Sequence, residues 1–172
     1  MSNERQEKKD QFTDTSKKGG FGKIAVILLA LVIIAGVAGF ALLKPGTSDG
    51  YAAAKGHDGE IRIELADVSD GQAHYFKLDT DKGEIKFFVV KSVDGVMRAA
   101  FDACDVCYKS KKGYRQEGDE MVCNNCNMKF RTDMVNEVKG GCNPAPLSRR
   151  IEGQQLVINK QDILGGAWYF GG

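Results

Sequence analysis

The chain has 172 residues, 42% of them hydrophobic and 27% charged, and its net charge is +1. These are the proportions of an ordinary globular protein. A balance so close to neutral leaves no electrostatic footprint for a nucleic acid, so that class of partner is excluded. The averages hide one strongly uneven stretch, since Ile24 to Leu43 carries no charge and departs from apolar residues only at Gly36 and Gly39.

Residues 1–23 come first and set Arg5, Lys8, Lys9, Lys17, Lys18 and Lys23 against Glu4, Glu7, Asp10 and Asp14. A tail so polar and poor in apolar residues is expected to be disordered. The apolar run 24–43 would span about 30 Å as a helix, the hydrocarbon thickness of a bilayer, and predicts a single transmembrane helix. A cleaved signal peptide is the competing reading, with small residues at Ala38-Gly39-Phe40-Ala41, but the run and its leading tail are both long for one. Lys17, Lys18 and Lys23 precede the run directly. The positive-inside rule therefore predicts a cytoplasmic N-terminus, a lipid-embedded single pass and an extracytoplasmic C-terminal domain.

Residues 44–59 read KPGTSDGYAAAKGHDG and predict a flexible tether, with the fold beginning near Glu60. Beyond it apolar and polar residues alternate in short stretches: Ile61, Ile63 and Leu65, then Ala73 to Leu78, then Ile85 to Val90. These predict strands. Asp70-Gly71, Asp81-Lys82-Gly83 and Asp94-Gly95 lie between them as turn signals, which suggests an antiparallel meander completed by a strand from Met97 to Asp102. Later, Leu156-Val157-Ile158 predicts a further strand, and Asn159 is placed to cap a helical turn over Lys160 to Leu164. The expected fold class is mainly β: one N-terminal transmembrane helix and a small antiparallel β domain over residues 60–172.

The five cysteines carry the chemistry. Cys104-Asp-Val-Cys107 and Cys123-Asn-Asn-Cys126 are two C-x2-C pairs with fifteen residues between them, inside the range of a four-thiolate metal site. Two intervening residues let a tight turn aim both sulfurs at one ion, and a hairpin punctuated by Gly113-Tyr114 and Gly118-Asp119 returns the second turn opposite the first. Asn127 tolerates the left-handed backbone such a knuckle adopts, and Val122 and Phe130 are expected to pack beside it. Cys142 lies in a loop with two glycines and two prolines, within reach of the same centre. Cys104, Cys107, Cys123 and Cys126 are the expected ligands, with Cys142 and His74 as further candidates. Three readings fit this pattern: a structural zinc ribbon, disulfides, or an iron–sulfur or other redox metal centre. An odd thiol count speaks against complete disulfide pairing.

Other residues invite weaker readings. His57 belongs to the tether and is expected in solvent, while His74 has no second histidine with which to build a metal site. Asp102 and Asp105 flank the first thiol and are expected to cap its loop. Met97, Met121, Met128 and Met134 are too scattered for a copper site. Trp168, Tyr169 and Phe170 are expected to close the core or meet a membrane interface. No Gly-rich phosphate loop, Ser-His-Asp set or paired carboxylates are visible, which favours an electron carrier over a catalyst.

Phe87-Phe88-Val89-Val90-Lys91, Asp94-Gly95, Ala100 to Tyr108, Lys112-Gly113-Tyr114, Met121 to Cys126 and Gly140 to Leu147 together resemble the FtrD-like membrane iron–sulfur proteins. The Gly-Gly-Cys-Asn-Pro segment beside the paired cysteines is the most specific part. The resemblance implies a bacterial iron–sulfur or iron centre that accepts electrons in a ferrous-iron uptake system. Its implied partners are a membrane permease and periplasmic metal-binding or oxidase proteins. Some relatives carry several membrane helices before this domain, whereas this chain has one candidate, so the resemblance does not extend to the permeation path. A zinc-stapled interaction domain of a membrane transport complex is the alternative.

Overall fold

The computed structural model describes residues 49–171. The expected tail and transmembrane helix fall outside these residues, and no helix among the described residues is long and apolar enough to cross a membrane.

Eleven strands form three sheets among the described residues. The central sheet contains β4 (His74–Thr80), β5 (Gly83–Lys91) and β6 (Met97–Phe101), an antiparallel meander, with β1 (Ala52–Ala53) added in parallel at the edge of β4. Thr80 faces Gly83 across a two-residue turn, and the positive φ of Gly83, 122°, is one that L side chains avoid. A second sheet runs β10 (Arg150–Glu152), β11 (Gln155–Asn159), β3 (Glu60–Glu64) and β2 (Gly56–His57). The third is a hairpin and a half: β7 (Tyr114–Glu117), β8 (Glu120–Cys123) and β9 (Lys129–Arg131).

Strand β5 explains how the layers stack. Its side chains alternate between two cores: Phe87 and Val89 join one with Ile61, Leu78, Leu156 and Ile158, while Phe88 and Val90 join another with Tyr114, Met121 and Cys123. A period of two thus sends successive residues to opposite faces, and a strand covered on both reads as a continuous apolar run. The central sheet lies between the other two. The first core is wholly apolar, extended by Ile163 of the short helix α2 (Lys160–Gly165). Asn159 caps that helix as expected, accepting a hydrogen bond from the Gln161 N–H at 2.9 Å.

Two expectations need correction. Strand β3 does not begin the meander; it pairs with β11, Ile61 facing Ile158 and Ile63 facing Leu156, and Leu65 opens the short helix α1 (Leu65–Val68). Alternation reports which face a strand buries and says nothing of the strand it pairs with. The supposed tether also becomes structured before Glu60. Strands β1 and β2 form there, and the Tyr51 ring packs edge-on against Tyr75 at 5.7 Å. Glycines and alanines, unhelpful as a sequence signal, suit a chain that lies close against a sheet edge.

Candidate metal centre

Three segments bring the thiols together. The first leaves the end of β6, where Cys104 is buried and Cys107 half-buried at the start of a 3₁₀ turn over Tyr108–Ser110. The Cys107 N–H points back to the Cys104 sulfur at 3.2 Å. The second is the turn after β8. There the Cys123 N–H bonds the Met128 carbonyl at 3.0 Å and the Asn127 N–H bonds the Cys123 carbonyl at 2.8 Å, with Asn127 left-handed at φ 59°. Cys123 is buried in this knuckle and Cys126 stands exposed at its tip.

The third segment is the Cys142 loop, which is held to β6 as an irregular extra strand. The Phe101 N–H bonds the Ala145 carbonyl at 2.8 Å, the Ala145 N–H bonds the Ala103 carbonyl at 2.9 Å, and the Leu147 N–H bonds the Ala99 carbonyl at 3.1 Å. Pro144 and Pro146 have no N–H to lose in such a mixed pairing. The Tyr114 hydroxyl donates to the Cys142 carbonyl at 2.6 Å and secures the loop from the opposite side.

The result is two overlapping groups of sulfurs, Cys104, Cys107 and Cys142 in one and Cys107, Cys123 and Cys126 in the other; within each the ligand atoms lie within 4.8 Å of one another. Cys107 and Cys142 are 3.8 Å apart. Cys142 is therefore as central as the paired cysteines. The environments of the thiols differ. Burial pushes Cys123 up to about 11 and raises Cys142 as well, with neighbouring thiols adding to both. The Met128 N–H holds Cys126 below its ordinary value. Backbone donors aimed at sulfur, with the Asn125 amide 3.4 Å from Cys107, are what a thiolate bound to metal requires. The donor set, sulfur alone in both groups, suits zinc, iron or an iron–sulfur centre and is too soft for magnesium or calcium.

Supporting residues were partly foreseen. Phe130 packs on the thiol-bearing core as expected, but its partner on β8 is Met121, because Val122 points to the other face of that strand. Asp102 does more than cap a loop. Buried, it accepts from the Tyr114 N–H at 2.7 Å and the Tyr51 hydroxyl at 2.6 Å, so it joins the N-terminal strand to the knuckle. Burial raises its carboxyl while those two bonds oppose the rise. Gly113 must be glycine here, since a Cβ would lie 2.1 Å from the Asp102 Oδ2 and φ is +62°. Asp105 accepts from the Tyr169 hydroxyl at 2.6 Å, Tyr169 being itself part of the apolar core. Trp168 stacks on Tyr169 at 3.7 Å and stays half exposed.

His74 is not brought to the thiols. Its Nε2 pairs with Asp70 at 2.8 Å, and no group of close ligand atoms among the described residues includes it. The strand turned it toward the preceding loop, where a carboxylate lay four residues back. His57 is solvent-exposed against Asp58, and the four methionines are divided between core and surface. Beside the thiols a cavity of about 200 Å³ is lined by Cys104, Cys107 and Cys123 together with exposed Lys111 and Lys112. Nothing in the sequence signalled it.

No curated protein matches the chain. Among solved structures, the quaternary ammonium Rieske monooxygenase CntA in complex with the inhibitor MMV12 is similar at 15% identity and a TM-score of 0.41 over 60% of this chain. The match spans only 32% of that chain, and at this level of likeness nothing carries over. The family comparison is of a different order: the description "Membrane iron-sulfur containing protein FtrD-like" matches residues 68–170, three strands of the central sheet and all five cysteines included, and the chain belongs to this family.

Proposed function

We propose that this protein is a membrane-anchored extracytoplasmic electron carrier, the electron acceptor of a ferrous-iron uptake system, working beside a membrane permease and periplasmic metal-binding or oxidase proteins. The observation that carries this reading is the convergence of five thiols at the protein surface, from buried Cys104 and Cys123 to exposed Cys126. An iron or iron–sulfur centre held there would supply a one-electron couple. The chain itself does the holding and the tuning. Cys104, Cys107, Cys123, Cys126 and Cys142 provide thiolates, while the N–H groups of Cys107 and Met128 and the Asn125 amide stabilise charge on sulfur. The apolar run 24–43 would anchor the domain, with the lysines before it keeping the N-terminus in the cytoplasm.

The test is an optical spectrum of the full chain isolated anaerobically, with metal analysis on the same sample. A visible band that bleaches on reduction is expected. A colourless protein carrying tightly bound zinc would overturn electron transfer and favour the second reading, a zinc-stapled interaction domain. That alternative draws support from the way the thiols tie the third sheet and the Cys142 loop to β6.

A further inference from the structure

The geometry points to a centre of two metal ions held by five thiolates, with Cys107 shared between them. The inference rests on the metal-centre reading above and deepens it.

The sulfurs do not gather as one quartet from the two C-x2-C pairs. They fall into two triads, and Cys107 is the one thiol common to both. An ion with bonds to sulfur of about 2.3 Å holds neighbouring thiolates about 3.8 Å apart in a tetrahedron. The Cys107–Cys142 separation of 3.8 Å is that edge, and the 4.8 Å limit within each triad leaves every sulfur within reach of a single ion with little movement. Each triad thus supplies three corners of a tetrahedron. A thiolate sulfur has lone pairs enough to serve two cations, and Cys107, half-buried at the end of the first turn and close to sulfurs of both triads, is placed to do so.

Charge favours the same arrangement. Ligation requires each thiol to lose its proton. Two divalent cations nearly cancel five thiolates, whereas one cation leaves most of that negative charge uncompensated in a partly buried site. Lys111 and Lys112 line the adjoining cavity but are exposed, so a second cation bound directly to sulfur is the more effective neutralising group. Three protein thiolates per ion leave one position on each for a ligand from outside the chain. The cavity lined by Cys104, Cys107 and Cys123 provides the room.

The full chain, in detergent, reduced and free of oxygen, is titrated with cobalt(II) while thiolate-to-cobalt absorbance and electron paramagnetic resonance intensity are followed. Absorbance is expected to rise to two equivalents per chain. The resonance should grow through the first equivalent and fall through the second, because a shared thiolate couples the two spins antiparallel. Cys142→Ser should lower the capacity to one equivalent. A wild-type break at one equivalent overturns the proposal, and so does a second equivalent that adds spin without loss or a Cys142→Ser variant that still takes two. The wild-type count decides the matter even where the variant does not fold. An iron-loaded sample that cannot be reduced would remove electron transfer and leave the count of two standing, while a count of one in a protein that still bleaches would remove only the shared thiolate.

Discussion

The two cores on either side of the central sheet are built on different principles. One gathers Ile61, Ile63, Leu78, Ile85, Phe87, Leu156, Ile158 and Ile163, large aliphatic and aromatic groups from two sheets and a helix. The other is smaller and mixes Phe88, Tyr114 and Met121 with Cys104 and Cys123, while Cys107 and Cys142 pack at its margin. Burying apolar surface stabilises by about 25 cal/mol per Å², so the first side is held by its own side chains. The second spends much of its interior on thiols, and a three-stranded sheet of short strands needs help to stay folded. A metal held by these thiols would thus contribute to the stability of one half of this domain and leave the other to its apolar packing.

The comparison breaks most visibly when metal is withdrawn. Cys123→Ser, or chelation of the wild type, should cost several kcal/mol, since binding at a thiolate centre is folding energy on the scale of about 10 kcal/mol. Hydrogen exchange should then show lost protection in β7 and β8 with β3 and β11 still protected. Uniform loss across all sheets would contradict the division. The reverse test is Phe87→Ala, which should lower stability by about 3–5 kcal/mol. It leaves the thiol-bearing face untouched, so metal content per folded chain should stay at the wild-type value, read by melting and elemental analysis together.

Gly113→Ala probes the seam between the halves. A Cβ at positive φ, driven into the Asp102 carboxylate, should cost about 2 kcal/mol and lower metal affinity, because Asp102 holds the N–H of Tyr114, the β7 residue that pairs with Cys123 at the start of the knuckle. Unchanged affinity would mean that the knuckle forms without Asp102. The smallest effect lies at the far end of the central sheet. Asp94 is held down to about 2, by the Ser92 hydroxyl first, then by the Val96 N–H and Arg98. A carboxyl depressed on folding contributes stability above its unfolded value of 3.8 and loses it as pH falls toward 2. Asp94→Asn should therefore lower the neutral plateau of the stability profile slightly and flatten its acid limb between about pH 4 and 2, so that variant and wild type converge at the acid end; an unaltered limb would deny the linkage.

Much of the site was legible because its signals are local. C-x2-C spacing encodes a turn, Asn127 encodes the left-handed residue that closes it, and Asn159 encodes a helix start; each needs only its neighbours. What escaped depends on distant partners. The pairing of β3 with β11 joins residues at opposite ends of the domain, and the docking of Ala145 and Leu147 along β6 is what makes Cys142 equal to the other thiols. Sequence placed Cys142 near the centre but had no means to see which backbone would carry it there. Tyr51 and Asp102 meet across 51 positions, a contact that no periodicity announces. His74 is a secondary candidate whose lack of a second histidine already argues against ligation, and the structure pairs it with Asp70.

The pairing of β3 with β11 also orders events in time. Residues 60–64 are made early and wait for residues 155–159, with the whole central meander and all five cysteines in between. Contacts of such long sequence separation close slowly. The hairpins β4–β5 and β7–β8, each joined by a two-residue turn, are local and quick. The knuckle is thus assembled, and its sulfurs are ready to take metal, while the apolar core still stands open on one side. A metal taken up by the knuckle's thiols at that stage would be enclosed only when the second sheet closes.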